Sequence, residues 1–163
     1  MSITIYDNRE DPDPSIPIDT YCRCLEKAAS ILRFPSADVE ISLVDDRTIQ
    51  ELNLRFRQID APTNVLAFPF YSWKQPHQSE SPLPEPGPDD PPCMLGEIVV
   101  SLQTITREAE SFGMSFDEQF MQMAIHGMLH LVGYDHETDA GEELMLEQTE
   151  LALRACRDFL FRG

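Results

Sequence analysis

Three of the four histidines of this chain lie in the eleven-residue segment HGMLHLVGYDH, residues 126–136. His126 and His130 are four residues apart, so on a helix they project from one face with their Cβ atoms about 5–6 Å apart. Gly133 predicts the end of that helix, because a glycine after the last apolar position typically forms a left-handed cap. The turn that follows can bring His136 back beside the other two rings. The spacing therefore predicts a site for one metal ion.

Three histidine ligands indicate a catalytic metal ion rather than a structural one. A zinc ion held by three protein groups keeps a fourth position for water or substrate. Such an ion lowers the pKa of a bound water from about 15.7 to about 7. Imidazole also suits copper, nickel and iron. We therefore expect one transition-metal ion per chain, with zinc as the first choice.

The frame also resembles the metzincin protease signature H-E-x-x-H-x-x-G-x-x-H. In those proteases the residue after the first histidine is the glutamate that serves as general base, whereas this chain has Gly127 there. Peptide hydrolysis by the usual route then lacks its proton acceptor. A metal-dependent peptidase or other hydrolase stays open as an alternative, which chelator-sensitive cleavage of casein without nuclease activity would favour.

Length and composition indicate one globular domain. The chain has 163 residues, of which 42% are hydrophobic and 25% charged, as is ordinary for such a protein. No apolar run approaches the roughly 20 residues of a membrane span, and the first residues do not have the pattern of a signal peptide. We expect a single domain over residues 1–163, a cytoplasmic location and no membrane partner.

Charge argues against a nucleic-acid partner when it is taken alone. The chain has 12 Lys+Arg against 29 Asp+Glu, a formal net charge of −17, which repels polyanions at long range. The segment 47–57 differs from this average, since Arg47, Arg55 and Arg57 stand there against Glu51 alone. These arginines could form a local cationic patch in an acidic protein.

Helices and strands are predicted from apolar periodicity. Ser115 and Glu118 form a capping-box pattern before the histidine helix, and Asp19 is a candidate N-cap for the first helix. On the second helix, Ile49, Leu52 and Phe56 are predicted to face inward. The predicted strands are 1–6 (an edge strand), 39–44, 64–70 (an edge strand or strand end, because of its proline) and 95–101, and the predicted helices are 20–34, 45–57, 101–112, 119–132 and 142–160.

Residues 72–92 hold seven of the thirteen prolines. This composition cannot bury a core, and long surface insertions cost little stability. We expect an exposed, extended or disordered surface insertion. His77 lies in this segment and is expected to be solvated rather than a fourth metal ligand.

Three segments together resemble one known family. HGMLHLVGYDH is similar to the signature H-G-x-L-H-L-x-G-Y-D-H of the YbeY family, metal-dependent endoribonucleases of ribosomal RNA maturation. LNLRFRQIDAPTNVLAFPF (52–70) is similar to a second family motif, with Ala67 where serine is usual, and LGEIVVS (95–101) is similar to a third, with Glu97 where aspartate is usual. The resemblance spans roughly residues 45–140. The acidic N-terminus and the proline-rich segment depart from the family pattern.

The resemblance implies an α+β fold in which helices flank a small mixed β-sheet and the central helix binds the metal. It implies that His126, His130 and His136 are the ligands and that Arg57 is an essential arginine. A guanidinium group can clamp two phosphate oxygens as negative charge builds on them. Asp135 is a candidate general base, or a carboxylate that orients a ligand histidine.

The function implied by the resemblance is a single-strand-specific, metal-dependent endoribonuclease of late ribosome maturation. It would process the 3′ end of 16S ribosomal RNA and contribute to ribosome quality control. The implied partners are the small-subunit RNA in the 30S or 70S ribosome, a small-subunit ribosomal protein and an Era-type GTPase. A non-catalytic, metal-stabilised assembly factor is the other alternative, and a closed coordination shell in X-ray absorption would favour it.

Overall fold

A computed structural model describes residues 1–160, in which helices and strands alternate. Within that range, no helix combines the length and the apolar character that a membrane crossing requires. The elements in chain order are β1 (Ile3–Asp7), α1 (Ile18–Ile31), β2 (Asp38–Val44), α2 (Asp46–Arg57), β3 (Val65–Pro69), β4 (Trp73–Gln75), β5 (Gln78–Ser79), β6 (Met94–Ser101), α3 (Leu102–Phe112), α4 (Phe116–Leu131) and α5 (Asp139–Leu160).

The main sheet has four strands in the order β1-β2-β6-β3. β1, β2 and β6 run parallel to one another, whereas β3 runs antiparallel to β6. The sheet is therefore mixed and the fold is α+β, as predicted. β1 and β3 are the two edge strands, which confirms both edge predictions and explains how Pro69 is tolerated at the end of β3.

The two faces of the main sheet carry different helices. Val65 and Ile98 face α4, since both side chains contact the position that a Cβ of Gly127 would occupy. Their neighbours Leu66 and Val99 face the opposite way and pack with Ile49 of α2, because successive strand residues alternate between faces. α4 also packs against α1, α3 and α5. It is the central helix that the sequence predicts.

Two predicted helix starts differ in detail from the structure. α1 begins at Ile18 after Pro17, so Asp19 lies within the first turn and is not the N-cap. At α4, Ser115 accepts a hydrogen bond from the amide of Glu118 at 3.2 Å, as predicted. The Glu118 carboxylate, however, lies 3.7 Å from Arg157 of α5. An interhelical ion pair takes the place of the expected return bond.

The predicted extent of α2 is confirmed, but the prediction that Phe56 faces inward is wrong. Ile49 is buried and Leu52 half-buried, but Phe56 is 53% exposed. Every residue from 54 to 60 is exposed. The apolar periodicity continues along the helix, but the last turn of α2 extends beyond the part of the molecule that could cover it.

The proline-rich segment is partly ordered into secondary structure. β4 and β5 form a small antiparallel hairpin, which the prediction of an extended or disordered loop missed. Residues 80–92 lack helix and strand, and all but Leu83 are exposed. The insertion thus lies at the surface, as expected, but it begins with a folded hairpin.

Candidate metal centre

The C-terminal end of α4 positions two of the three histidines. His126 and His130 lie on its last two turns. The helix then ends in a Schellman motif, in which Gly133 N donates to His130 O at 3.2 Å and Tyr134 N donates to Leu129 O at 3.1 Å. Gly133 has a φ of +97°, which confirms the predicted glycine cap. This reversal directs the chain back towards the helix face that carries the histidines.

The structure brings all three predicted ligands together. The nitrogens that His126, His130 and His136 offer lie within 4.8 Å of one another. Nε2 of His130 is 3.1 Å from Nε2 of His126. Two ligands at about 2.0–2.1 Å from a tetrahedral zinc ion are about 3.3 Å apart. The cluster therefore has the dimensions of a set of ligands for one metal ion.

A main-chain carbonyl fixes the orientation of His130. Its Nδ1 lies 2.9 Å from Tyr134 O, and because a carbonyl only accepts, Nδ1 carries the proton. Nε2 then presents its lone pair to the cluster, as a metal ligand requires. The Schellman motif supplies that carbonyl, so the helix end and the ligand geometry depend on the same turn.

The environment favours the neutral form of His126 and His130 at physiological pH. Burial, together with His130 and His136, lowers the pKa of His126 to about 4. Burial also lowers the pKa of His130, against the opposing effect of the Tyr134 carbonyl. A neutral imidazole is the form that binds a metal ion. Metal binding therefore requires little free energy for the deprotonation of His126 and His130.

Gly127 occupies the position of the protease general base, and its surroundings are closely packed. A Cβ at this position would approach Ile98 Cγ2 to 3.1 Å and Val65 Cγ2 to 3.2 Å. A larger residue there would require these side chains to shift by a few tenths of an ångström. The peptidase alternative therefore lacks its general base, and the position is tightly packed.

A cleft of about 550 Å³ joins the histidine cluster to the predicted arginine. Arg57 is the last residue of α2, which packs on the opposite face of the sheet from α4. The edge strand β3 lies between the two helices. After burial, the positive charge of Arg57 is one of the causes that lower the pKa of His130. The lining residues include Arg57, Thr63, Asn64, Pro69, His126, His130, Asp135, His136 and Glu137.

Asp135 lines the same cleft but makes a contact that the sequence did not predict. Its Oδ1 accepts a hydrogen bond from Glu137 N at 3.1 Å. This bond lies within the turn that carries His136, so the carboxylate supports the position of that turn. The Tyr134 carbonyl, rather than Asp135, bonds the ring of His130. A proton-accepting role for Asp135 stays a prediction.

Sequence reasoning missed two polar residues of the cleft, Thr63 and Asn64. The Asn64 side chain is held by Glu108, at 3.2 Å from Nδ2, and by its acceptance of a bond from Val65 N at 2.7 Å. The main-chain carbonyl of Asn64 accepts a hydrogen bond from Ser101 N at 3.0 Å. These bonds fix the start of β3 beside the metal site. Thr63 and Asn64 belong to the PTN of the second motif, but composition alone does not mark them as site residues.

The hairpin β4–β5 braces the segment between the second and third ligands. His77 N donates to Val132 O at 2.8 Å, and His77 Nε2 lies 3.0 Å from the Tyr134 hydroxyl. A Cβ on Gly133 would lie 2.6 Å from Cβ of Trp73. His77 is exposed, as expected, and in the described chain it lies outside the histidine cluster. It is nonetheless bonded to the ligand loop rather than simply solvated.

Comparison with known proteins agrees with the family resemblance of the three motifs. The sequence profile of the family described as Endoribonuclease YbeY matches residues 7–157. The chain is 46% identical over 134 residues to Endoribonuclease YbeY of Rhodopseudomonas palustris strain BisB18, covering 80% of this chain and 74% of that protein. It is 42% identical over 135 residues to the protein of the same name from strain BisA53, covering 82% and 72%.

The fold also matches a solved structure. The solution structure of TM1509 from Thermotoga maritima superimposes with a TM-score of 0.59 at 27% sequence identity, covering 94% of this chain and 88% of that one. Two of the three sequence motifs line one cleft, and the third lies on β6, which pairs with β3. With a family profile that spans residues 7–157, this protein belongs to the Endoribonuclease YbeY family.

Proposed function

We propose that this protein is a metal-dependent endoribonuclease that cleaves single-stranded RNA during late ribosome maturation. The observation that carries the proposal is the cleft that holds three clustered imidazoles and Arg57. Family membership supports RNA as the substrate class. The proposed substrate is the 3′ end of 16S ribosomal RNA, and the proposed wider role includes ribosome quality control in the cytoplasm.

The residues of the cleft divide the chemistry between them. A transition-metal ion held by the three histidines, with zinc as first choice, supplies Lewis-acid activation of a water molecule or a phosphate oxygen. Arg57 binds the non-bridging oxygens of the scissile phosphate and stabilises the negative charge that builds there. Asp135 and Glu137 line the same cleft, and either carboxylate can accept the proton that the attacking water loses.

The acidity of the chain bears on how it reaches its substrate. A net charge of −17 gives little long-range attraction for RNA. We propose that a small-subunit ribosomal protein or an Era-type GTPase helps to bring the enzyme to precursor RNA within the 30S or 70S particle. No membrane partner is proposed.

A cleavage assay tests the substrate class and the metal together. The substrates are a single-stranded fragment of the 16S RNA 3′ end and the same fragment annealed to its complement. We expect cleavage of the single strand alone, loss of cleavage on chelation and recovery when zinc is returned. Equal cleavage of the duplex would contradict single-strand specificity. Full activity after complete chelation would contradict the metal.

The same assay separates the enzyme from the assembly-factor alternative. An assembly factor would leave the RNA intact both free in solution and within purified precursor 30S particles, while it bound those particles with the metal in place. Cleavage in the particles but not in free RNA would retain the proposed function and add the requirement for partners. Chelation in both settings controls for contaminating metal-independent nucleases.

A further inference from the structure

Large apolar side chains are exposed beside the cleft. Phe56 is 53% exposed and Phe70 52%, and Leu54 and Ile59 are 49% and 44% exposed. All four belong to the end of α2, the loop after it or the end of β3. An exposed apolar cluster of this kind often marks a binding surface. Arg57 and Pro69, which adjoin Phe56 and Phe70 in the chain, line the metal cleft, so this apolar surface lies close to it.

Three aromatic rings at this surface form what we call the aromatic platform: Phe56, Phe68 and Phe70. The rings of Phe56 and Phe68 lie 5.1 Å apart at 68°, an edge-to-face contact. Phe70 N donates to Leu95 O at 3.0 Å, which continues the strand ladder one residue beyond β3. Phe70 lies at a bend directly after β3, two residues along the chain from Phe68.

The aromatic platform adjoins the metal cleft across the edge strand β3. Arg57 is adjacent in sequence to Phe56, and Pro69 lies between Phe68 and Phe70. Both Arg57 and Pro69 line the cleft. The platform and the metal site therefore lie on the two sides of the edge strand β3. A polymer whose phosphate lies at the metal site and Arg57 has only to cross this strand to reach the aromatic rings.

Charge at the platform suits a phosphate backbone only weakly. Cζ of Arg55 lies 5.4 Å from the ring centroid of Phe56, and Arg57 follows directly. Glu97, however, is paired with Phe68 across the ladder between β3 and β6 and is exposed. Two arginines beside an acidic residue cannot by themselves hold a polyanion firmly. An additional, uncharged source of affinity is needed.

We propose that the aromatic platform stacks unpaired bases of the RNA strand next to the scissile phosphate. This inference rests on the proposed function and specifies how the substrate binds. Single-stranded nucleic acids are held by aromatic stacking beside cationic grooves, because every base has a π-face. Bases of a duplex are already stacked on one another and are not free to use the platform. The platform thus supplies both affinity and a preference for single strands.

Binding of a modified RNA tests the proposal with the zinc-loaded chain of residues 1–163. The probe is an unstructured 2′-O-methyl oligoribonucleotide with 2-aminopurine beside its central phosphate, checked to be intact on a gel after each titration. We expect binding of this probe to quench 2-aminopurine fluorescence through stacking. Phe56→Ala should weaken binding about fivefold or more and reduce the quench. Phe56→Trp should retain both.

Matched variants separate the platform from general damage to the protein. Phe112→Ala removes another exposed phenylalanine, 62% exposed at the end of α3, and should leave binding unchanged. Phe70→Ala should weaken binding without disturbing the contact between Phe56 and Phe68. The thermal midpoint of each variant shows whether it is folded.

The outcomes distinguish this inference from the proposed function. If wild type cleaves RNA but Phe56→Ala and Phe70→Ala bind the probe within twofold of wild type, the stacking platform is wrong and the nuclease stands. If wild type does not bind the probe and does not cleave RNA either free or within precursor 30S particles, both fail. If the Phe56→Ala and Phe70→Ala variants bind the probe normally but lose binding to purified 30S particles, the surface docks a protein and not a base.

Discussion

Two of the three ligands in the metal site depend on particular neighbours. His130 is oriented by the Tyr134 carbonyl, and His136 lies on a turn that Asp135 supports through its bond to Glu137. The metal site is therefore the cluster together with the main chain that follows α4. Loss of one ring leaves two, which is fewer than catalytic zinc sites use.

Replacement of His130 by alanine tests the cluster. Elemental analysis of wild type should give about one transition-metal ion per chain, and His130→Ala should retain much less. Phe112→Ala changes an exposed side chain at the end of α3 and should keep the metal. Equal metal content in wild type and His130→Ala would remove the basis of the site.

Asp46 provides a test of stability with a definite pH dependence. Its carboxylate accepts bonds from Ser101 Oγ and Thr104 Oγ1 at 2.6 Å and from Arg107 Nη1 at 2.7 Å. Burial alone would raise the pKa of Asp46, but the bonds from Arg107, Ser101 and Thr104 outweigh it and lower the pKa. Asp46→Asn should reduce the free energy of unfolding by about 2 kcal/mol at neutral pH.

The sign of the pH effect follows from linkage. The pKa of Asp46 is lower in the folded chain than the value of about 3.9 in the unfolded chain, so the ionised form favours folding. The difference between wild type and Asp46→Asn should be complete above about pH 5 and should shrink as pH falls through the folded-state pKa. Urea unfolding from pH 7 to pH 3 measures it. Glu51→Gln, which removes an exposed pair with Arg47 at 3.7 Å, should change stability little.

Among the elements, the hairpin β4–β5 and the end of α4 form one unit. Trp73 packs directly on Gly133, and His77 bonds to Val132 and Tyr134. The hairpin therefore closes one side of the loop that carries the third ligand. We expect changes at this contact to affect metal binding as well as stability.

Two glycines with positive φ provide a matched pair for that expectation. Gly133→Ala places a Cβ 2.6 Å from Trp73 at a φ of +97°, whereas Gly113→Ala places it in open space at +66°. Gly113→Ala should cost about 1–2 kcal/mol for the left-handed backbone alone. Gly133→Ala should cost more and should also weaken zinc affinity. Thermal unfolding and zinc titration measure the two effects, and unchanged zinc affinity in Gly133→Ala would show that the hairpin is not a brace.

How much of the fold the sequence predicts differs between these elements. The glycine after α4 and the alternation of β2 are local patterns, and both predictions are confirmed. The hairpin was missed because proline content describes how a segment behaves alone, whereas Trp73 and His77 are held by residues far away in sequence. Phe56 was misplaced because the 3.6-residue period identifies a helix face but not how far the covering sheet extends.

The site shows the same division between local and distant information. Spacing alone brought His126, His130 and His136 together as a prediction, and the structure places them within reach of one ion. Arg57 could be selected only through family resemblance, since a charged residue at a helix end is ordinary. Its place in the cleft depends on β3 lying at the edge of the sheet. Thr63 and Asn64 reach the cleft for the same reason.

For the molecule as a whole, charge sets the character of RNA binding. With a net charge of −17 and two arginines at the platform, binding of single-stranded RNA should release few counterions. The slope of log K against log salt should be about −1.4, at about −0.7 for each of two phosphates. Titrations at 50–300 mM salt measure it. A slope steeper than about −4 would instead indicate a broad cationic surface.

The measurement that tests the central claim most directly is cleavage of a 16S RNA 3′-end fragment by wild type and Arg57→Ala, purified in parallel. Arg47→Ala serves as the matched control, because Arg47 is exposed at the other end of α2. We predict chelator-sensitive cleavage by wild type and Arg47→Ala, and a loss of about a hundredfold or more in Arg57→Ala with its metal content intact. Equal cleavage by all three proteins would contradict the assignment of the cleft as the nuclease site.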